Sequence, residues 1–583
     1  SGGECPFLAT AAGGAVAAAS NSTPCPKPAA LRAWQGLKFG LFLHWGPYSQ
    51  IGVDASWSLN WKTACTFGNV GLCAPKPCSQ CTEQDMTEYR QMYWGLSKTF
   101  NPTDFDPDGC SAAAAAAGMK YFVMTTKHHD GFAMFNTTAS GAPGQPVYGV
   151  TGPDCPAQRD FFGEVAASMR RRGLKVGAYF SKADWHANSF WDPAAGFATD
   201  RNTNYDIATN PARYEQFVSF DGHQLGEIER QYSPDLIWLD AGWVGPNNGL
   251  QTLPLPQWAA AARVDSPAQL WVNRDGRVAE DYLTPENPPP DKVLSFGLGL
   301  HPKPWEVCMT LGEQWAYKVN DTYKTTTTIV HTLVSVVATG GSLLLDVGPM
   351  PTGQLPPVAL ERLAAVGHWL GVNGEAIYDT TPIFPYAMNV TTASPRDAVA
   401  EWRLAANATK GLSASCPEAG ANTNDNLTAC QARCFAIAAC NTINFREGNP
   451  PTCIAKGCKQ PGEPLVAKDG GWDVYIDANA AVPLVHQWLL SKKADDVYAM
   501  LITDGGSLPP PSVAPHFVLP FVVNVAGGID GSWPRGTLGS VSLLGGGAVS
   551  FEWSDRDGLV VANEGPALAA PDAAVFKLTF SPQ

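Results

Sequence analysis

The sequence predicts an α/β protein: a (β/α) barrel of the TIM type, followed by a β-sandwich that carries a small disulfide-rich insertion. Three observations predict it. Short β-branched or aromatic runs alternate with longer helical stretches over about 350 residues, the signature of parallel strands joined by crossover helices. No Gly-rich phosphate loop follows the first strand, so seven or eight such units read as a barrel rather than an open doubly wound sheet. Beyond about residue 385 the pattern shortens to alternating runs such as "VYAMLI", "HFVLPFVV" and "GAVSFEW" with turn residues between them, which reads as an all-β sandwich.

In chain order, residues 1–30 are rich in Ala, Gly, Ser and Pro without a period and read as an N-terminal arm, which Cys5 and Cys25 can close with a disulfide. The barrel is expected over 31–385, with strands at 38–44, 121–126, 175–181, 236–240, 270–273, 305–311 and 342–347. Helices are expected at 161–172, where Arg residues and Gly173 give a C-terminal stop, and at 212–232, 255–264, 325–339 and 358–372, the last closed by Asn373-Gly374. The sandwich takes 386–410 and 480–583. Between them, 411–479 holds Cys416, Cys430, Cys434, Cys440, Cys453 and Cys458, an even set that reads as a disulfide framework of unassigned pairing.

Composition excludes several classes of function. With 583 residues, 45% hydrophobic and 16% charged, the chain is globular and too long for one core. A net charge of -14 argues against nucleic acid or an anionic membrane as partner, and no apolar run has the length of a membrane span. Fifteen cysteines, sequons at Asn21, Asn136, Asn320, Asn389, Asn407 and Asn426, and a first residue that is Ser rather than Met fit a mature protein of the secretory or lysosome-like route. In that setting Cys65, Cys73, Cys78 and Cys81 read as disulfides rather than a zinc site. Outside the insertion nine cysteines remain, an odd number, and Cys308, inside a strand, is the expected buried free thiol. Nineteen Trp and 25 Phe exceed ordinary packing needs and suit the holding of sugar rings.

Chemistry in such barrels sits where strands end. Here those ends carry His44 in "FLHWG", His128 and His129 in "TKHHDG", Asp184 in "SKADW", Asp240 in "IWLDAG" and Arg274 in "VNRDG", five separate strands able to converge on one pocket. Asp240 reads either as a turn cap or as a nucleophile that Arg274 keeps ionised. A second carboxyl group is sought downstream among Asp275, Glu280, Asp281, Glu286 and Glu306. Glu286 lies on a Pro-rich loop that can carry an acid over the pocket mouth. Glu306 starts a strand, which puts it at the far end of the barrel, where a structural salt bridge is its expected role. For the paired histidines, a metal site, core packing and hydroxyl recognition all stay open, because neighbours on a strand point to opposite faces unless a bulge turns both inward.

The motifs "KFGLFLHWGPYS", "KYFVMTTKHHDGFAMF", "YSPDLIWLDAGW", "WEVCMTLGEQWAYKVND" and "GGSLLLDVGPMPTGQLPP" occur in order between about residues 38 and 380. As a set they resemble the glycoside hydrolase family 29 α-L-fucosidases. The resemblance implies a retaining exo-fucosidase acting on fucosylated glycans; no cluster in the sequence has convincing metal spacing, so neither metal nor cofactor is expected. It makes Asp240 the nucleophile and Glu286, on "DYLTPEN", the acid/base, with Glu306 as the alternative. It makes His44, His128, His129 and Arg274 sugar-binding, with Tyr179, Trp238, Trp315 and Trp57 as aromatic pocket residues. Ser56 stands before Trp57 where many members have Glu. Rival readings are a fucose-binding lectin on a decayed enzyme scaffold and activity on L-galactosides. The six-cysteine insertion, which loosely resembles an apple/PAN-type module, is not typical of the family; contact with glycan or protein and simple surface decoration both stay open as its use.

Overall fold

The structure is a computed structural model that describes residues 28–60, 80–244, 251–274, 280–288 and 303–390, and beyond these 402–408, 442–446, 452–456, 472–477, 486–493, 496–503, 516–519, 537–554, 558–562 and 573–581. Cys5, Cys25, Cys65, Cys73, Cys78, Asp275 and all the inserted cysteines except Cys453 lie outside the described residues, and with them the expected arm and disulfide framework.

Seven parallel strands form one curled sheet: β1 (Phe39–Leu43), β2 (Tyr121–Lys127), β3 (Lys175–Ser181), β4 (Leu236–Asp240), β5 (Leu270–Val272), β6 (Glu306–Thr310) and β7 (Ser342–Val347). Their order is β5-β4-β3-β2-β1-β7-β6. Both faces of these strands are covered, which is why they read as continuous apolar runs rather than alternating ones. Each lies within one residue of its expected bounds. The same holds for helices Phe161–Arg171, Pro211–Tyr232, Leu255–Asp265, Thr326–Ala338 and Pro357–Asn373.

Three helices were not expected: Pro28–Leu37, Glu83–Gly95 and Pro107–Ala116. The first begins inside the expected arm because Trp34 has a partner: its ring stacks on Tyr282 at 3.9 Å, within the cluster that includes Tyr121, Val123 and Trp238. The second is stabilised by a capping box between Thr82 and Asp85, a local signal present in the sequence.

The gap between the edge strands β5 and β6 is bridged by 280–287. Asp281 N–H donates to Trp271 O, while Glu306 N–H donates to Leu283 O and Cys308 N–H to Pro285 O. The segment therefore runs beside β6 as an irregular stave, with single bridges at Leu283 and Glu286. Glu286 thus lies outside any strand, as expected, but a single bridge ties its segment to β6. Pro285 supplies no N–H, so pairing stops short of a regular strand.

The chain divides into two compact units: Ser1–Asn287 with Pro302–Lys324 and Ser342–Gly367, and Pro288–His301 with Thr325–Gly341 and His368–Gln583. The second holds antiparallel sheets. Strands β8 (Thr381–Val390), β13 (His486–Lys493), β14 (Asp496–Thr503), β16 (Thr537–Leu543), β17 (Gly547–Ala548) and β20 (Ala574–Ser581) make one of six strands. Strands β15 (His516–Leu519), β18 (Phe551–Ser554) and β19 (Gly558–Ala562) make another of three. Leu490, Val497, Val541 and Phe576 of the first share a buried cluster with Leu559 and Val561 of the second, a two-layer core.

Two expected boundaries shift. Strand β8 starts at Thr381 and so crosses the line drawn at 385. Strand β9 (Trp402–Ala408), expected in the sandwich, pairs instead with β12 (Trp472–Asp477) in a four-stranded sheet with β10 (Thr442–Arg446) and β11 (Thr452–Lys456). Alternating short strands look alike in sequence whichever sheet receives them.

Candidate active site

Asp240 is the last residue of β4 and keeps only 17% side-chain exposure. Burial alone would raise its pKa, but Arg274, His129 and the Tyr179 hydroxyl outweigh it and hold the carboxyl well below the ordinary value. Tyr179 O–H donates to Oδ2 at 2.8 Å, and Arg274 Nε stands 3.4 Å from Oδ1. The chain turns sharply here. Ala241 has φ 72, and a side chain at Gly242 would come within 2.5 Å of the Arg274 carbonyl oxygen, so only glycine lets the two strand ends approach.

The histidine pair follows a register shift in β2 between Thr125 and Lys127. That bulge, and the strand ending at Lys127, remove the alternation that would have sent one ring away. The two rings lie 4.7 Å apart. His128 lies parallel to Tyr179 at 5.6 Å, and burial, with His129 and His44 beside it, pushes its imidazole well below the usual value. His129 donates its Nδ1–H to Ala183 O at 3.0 Å, which turns Nε2 toward Asp240. Nε2 is buried without a hydrogen-bond partner, 3.7 Å from Asp240 Oδ2. His44, just past β1, donates Nδ1–H to Asp346 Oδ1 at 2.7 Å, which fixes its tautomer and turns Nε2 away from that bond. Burial pushes Asp346 up to about 6, against the pull of His44.

Arg274 links three groups. Besides Asp240 it pairs through Nη2 with Glu286, whose side chain is 43% exposed, and Nη1 lies 3.8 Å from Cys308 Sγ. Its guanidinium stands 5.1 Å from the Trp238 ring, which in turn stacks on Tyr179 at 5.5 Å. Cys308 is a buried free thiol as expected, and Cys110 and Cys155 are free too. Cys81 is disulfide-bonded, in line with the disulfide reading of its cluster.

Glu306 is not at the pocket mouth. It is fully buried at the start of β6, accepting from Tyr121 O–H at 2.6 Å, Trp238 Nε1–H at 3.1 Å and Tyr282 O–H at 3.4 Å. These partners are neutral, so the expected salt bridge is replaced by an aromatic hydrogen-bond cage, and burial pushes the carboxyl up to about 7. Asp184 is also drawn elsewhere: it holds the turn through the N–H groups of His186 and Ala187 and lies 3.2 Å from Lys127 Nζ, which Asp221 also binds.

Trp57 and Trp315 form walls. Trp57 lies 5.2 Å from the His129 ring and Trp315 5.0 Å from the His44 ring. Sequence reasoning did not assign three supporting groups. Ser56 Oγ hydrogen-bonds His128 Nδ1; Asp54 accepts the Trp315 N–H at 3.0 Å; Asp346 orients His44. Asp346 had a signal, a lone acid in the apolar strand "SLLLDV". Ser56 stood out only as a departure from the family pattern, and Asp54 had no signal, because it acts on a residue distant in sequence.

His128, His129 and Asp240 offer ligand atoms within 4.8 Å of one another, close enough to hold a metal ion. Arg274 already supplies the positive charge beside Asp240 and Tyr179 takes Oδ2, which favours a neutral, hydroxyl-rich ligand instead. The pocket thus joins an ionised carboxylate at its floor to imidazoles suited to hydroxyls and a second carboxylate at its rim.

The family model described as "Alpha-L-fucosidase" matches residues 16–375. Tissue alpha-L-fucosidase of Bos taurus is 30% identical over 372 residues, 60% of this chain and 70% of that one. The Homo sapiens enzyme of the same name is 29% identical over 367 residues, again 60% and 70%. Among solved structures, Thermotoga maritima alpha-fucosidase with a mechanism-based inhibitor superposes with TM-score 0.58 at 21% identity, covering 94% of this chain and 97% of that one. A GH29 alpha-L-fucosidase from Bacteroides thetaiotaomicron gives 0.57 at 18% identity, covering 99% and 98%. At that identity the solved structures speak for the fold.

Proposed function

Because the chain belongs to the alpha-L-fucosidase family and is a glycoside hydrolase, we propose that it removes terminal α-L-fucose from glycans with retention, by double displacement. The observation that carries the reading is Asp240, held ionised by Arg274 and Tyr179 at the floor of a histidine-lined pocket.

Asp240 attacks the anomeric carbon as the glycosidic bond breaks, and Glu286 gives its proton to the leaving oxygen. In the glycosyl-enzyme the Asp240 oxygen is bonded to that carbon. Glu286, now a carboxylate, takes a proton from water, the water oxygen displaces Asp240, and fucose leaves. To reach the leaving oxygen Glu286 turns away from Arg274, which its exposed rim position permits. His44, His128, His129 and Arg274 bind the sugar, while Trp57, Tyr179, Trp238 and Trp315 supply the aromatic surface. The same reading places the protein on the secretory or lysosome-like route; the disulfide at Cys81 and the exposed sequon at Asn136 support it. No helix among the described residues is long and apolar enough to cross a membrane.

The test is fucose release from an aryl α-L-fucoside, followed by proton NMR before mutarotation. α-L-Fucose is expected first, since two inversions restore the starting configuration. β-L-Fucose appearing first would make the enzyme inverting and Asp240 a general base.

A further inference from the structure

One wall of the pocket climbs from His129 to the surface through Trp243 and Arg201, which the hydrolytic step does not use. The His129 side chain is fully buried, Trp243 lies 5.1 Å from it and is half-buried, and the Arg201 guanidinium lies 4.2 Å from the Trp243 ring and is exposed. Trp57 flanks Trp243 at 6.0 Å. Trp243 and Arg201 thus lie outward of His129 and Trp57, both in the pocket assigned to fucose.

This rim is fixed before any ligand arrives. The Arg201 carbonyl accepts two indole N–H groups, from Trp243 at 3.2 Å and Trp185 at 3.3 Å. The next residue is pinned as well: Asn202 O accepts Trp191 Nε1–H at 2.8 Å, and Asn202 Oδ1 accepts Gln251 Nε2–H at 2.9 Å. The neighbouring acids are occupied, Asp200 with the Asn202 N–H and Asp192 with Arg213. Among the described residues no carboxylate pairs with Arg201. A guanidinium seated on an indole keeps its N–H edges available and is preorganised to grip a planar or tetrahedral oxyanion.

We propose that Arg201 and Trp243 form an aglycone subsite that selects fucosides whose next residue bears an anionic group, a carboxylate or a sulfate ester. The proposal rests on the fucosidase reading and adds the substrate class. A chain of net charge -14 repels anionic glycans as a whole, so a preference for them would have to be local.

The experiment compares kcat/KM of the full chain on three fucosyl disaccharides, one with a neutral acceptor sugar, one with a uronic acid and one with a sulfated sugar, and on an aryl fucoside. An anionic-to-neutral ratio of about 5 to 10 is expected at low salt, falling several-fold at high salt. Arg201→Met should bring the ratio to about one and Arg201→Lys should keep part of it. The uronic and sulfated arms tell which oxyanion is meant. Equal kcat/KM for neutral and anionic acceptors in the unaltered protein, or an unchanged ratio in Arg201→Met, overturns the proposal. Absence of any fucose release, from the aryl fucoside included, would instead overturn the reading on which it rests.

Discussion

Arg274 Nε stands 3.4 Å from Asp240 Oδ1, and the same guanidinium binds Glu286 through Nη2. One cation therefore touches both proposed reacting carboxylates. Arg274→Met is expected to lower kcat/KM by about a hundredfold or more and to shift its acid limb to higher pH. The sign follows from Asp240: its carboxyl sits below the ordinary value mainly through Arg274, and without that charge its pKa rises, so protonation disables it earlier as pH falls. A pH–rate profile with the limb unmoved would detach Arg274 from this duty.

Asp240→Gly should reduce turnover about a thousandfold or more while the protein stays folded. With azide and an activated aryl fucoside it should then make β-fucosyl azide, since azide enters from the face the carboxylate has left. Near-normal hydrolysis by Asp240→Gly would place the nucleophile elsewhere.

Glu286→Ala is expected to slow fucosides with poor leaving groups by about a hundredfold or more and activated aryl fucosides much less, because only the former need protonation. Glu306→Gln should not show this leaving-group dependence, as Glu306 lies in its cage of Tyr121, Trp238 and Tyr282. The opposite pattern would exchange the two roles.

Glu306 should also make stability depend on pH. Its carboxyl is raised to about 7 by burial, so between the ordinary carboxylate value and about 7 the folded state holds a proton that the unfolded state has released. Stability contributed by this group is complete below the ordinary value and declines as pH rises through the window. Glu306→Gln should flatten that decline by on the order of 1–3 kcal/mol in urea titrations at two pH values. Parallel curves for both proteins would show that Glu306 stays ionised in its cage.

Chelation should leave activity unchanged. Arg274 already provides the positive charge beside Asp240 that a metal ion would bring to His128, His129 and Asp240. Loss of activity in EDTA, restored by zinc or calcium, would revive the metal site.

The sequence by itself determined the seven parallel strands, five of the helices and the polar residues at the strand ends. Strands buried on both faces read as apolar runs with polar ends, and this is a local pattern, so β1 to β7 and the residues Asp240, His44, His128, His129 and Arg274 were legible at once. Tertiary structure decided which polar ends meet. Asp184 has the same sequence appearance as Asp240, yet Lys127 claims it; Glu306 and Glu286 are both acids near β6, yet one is caged below Trp238 and the other reaches Arg274 at the rim. Whether adjacent histidines share a pocket depended on a bulge in β2, and whether 280–287 was loop or stave depended on edge strands far away in sequence. Such outcomes arise from backbone hydrogen bonds and charges satisfied across long sequence separations, and residue patterns within a window carry no record of which distant partner will satisfy them.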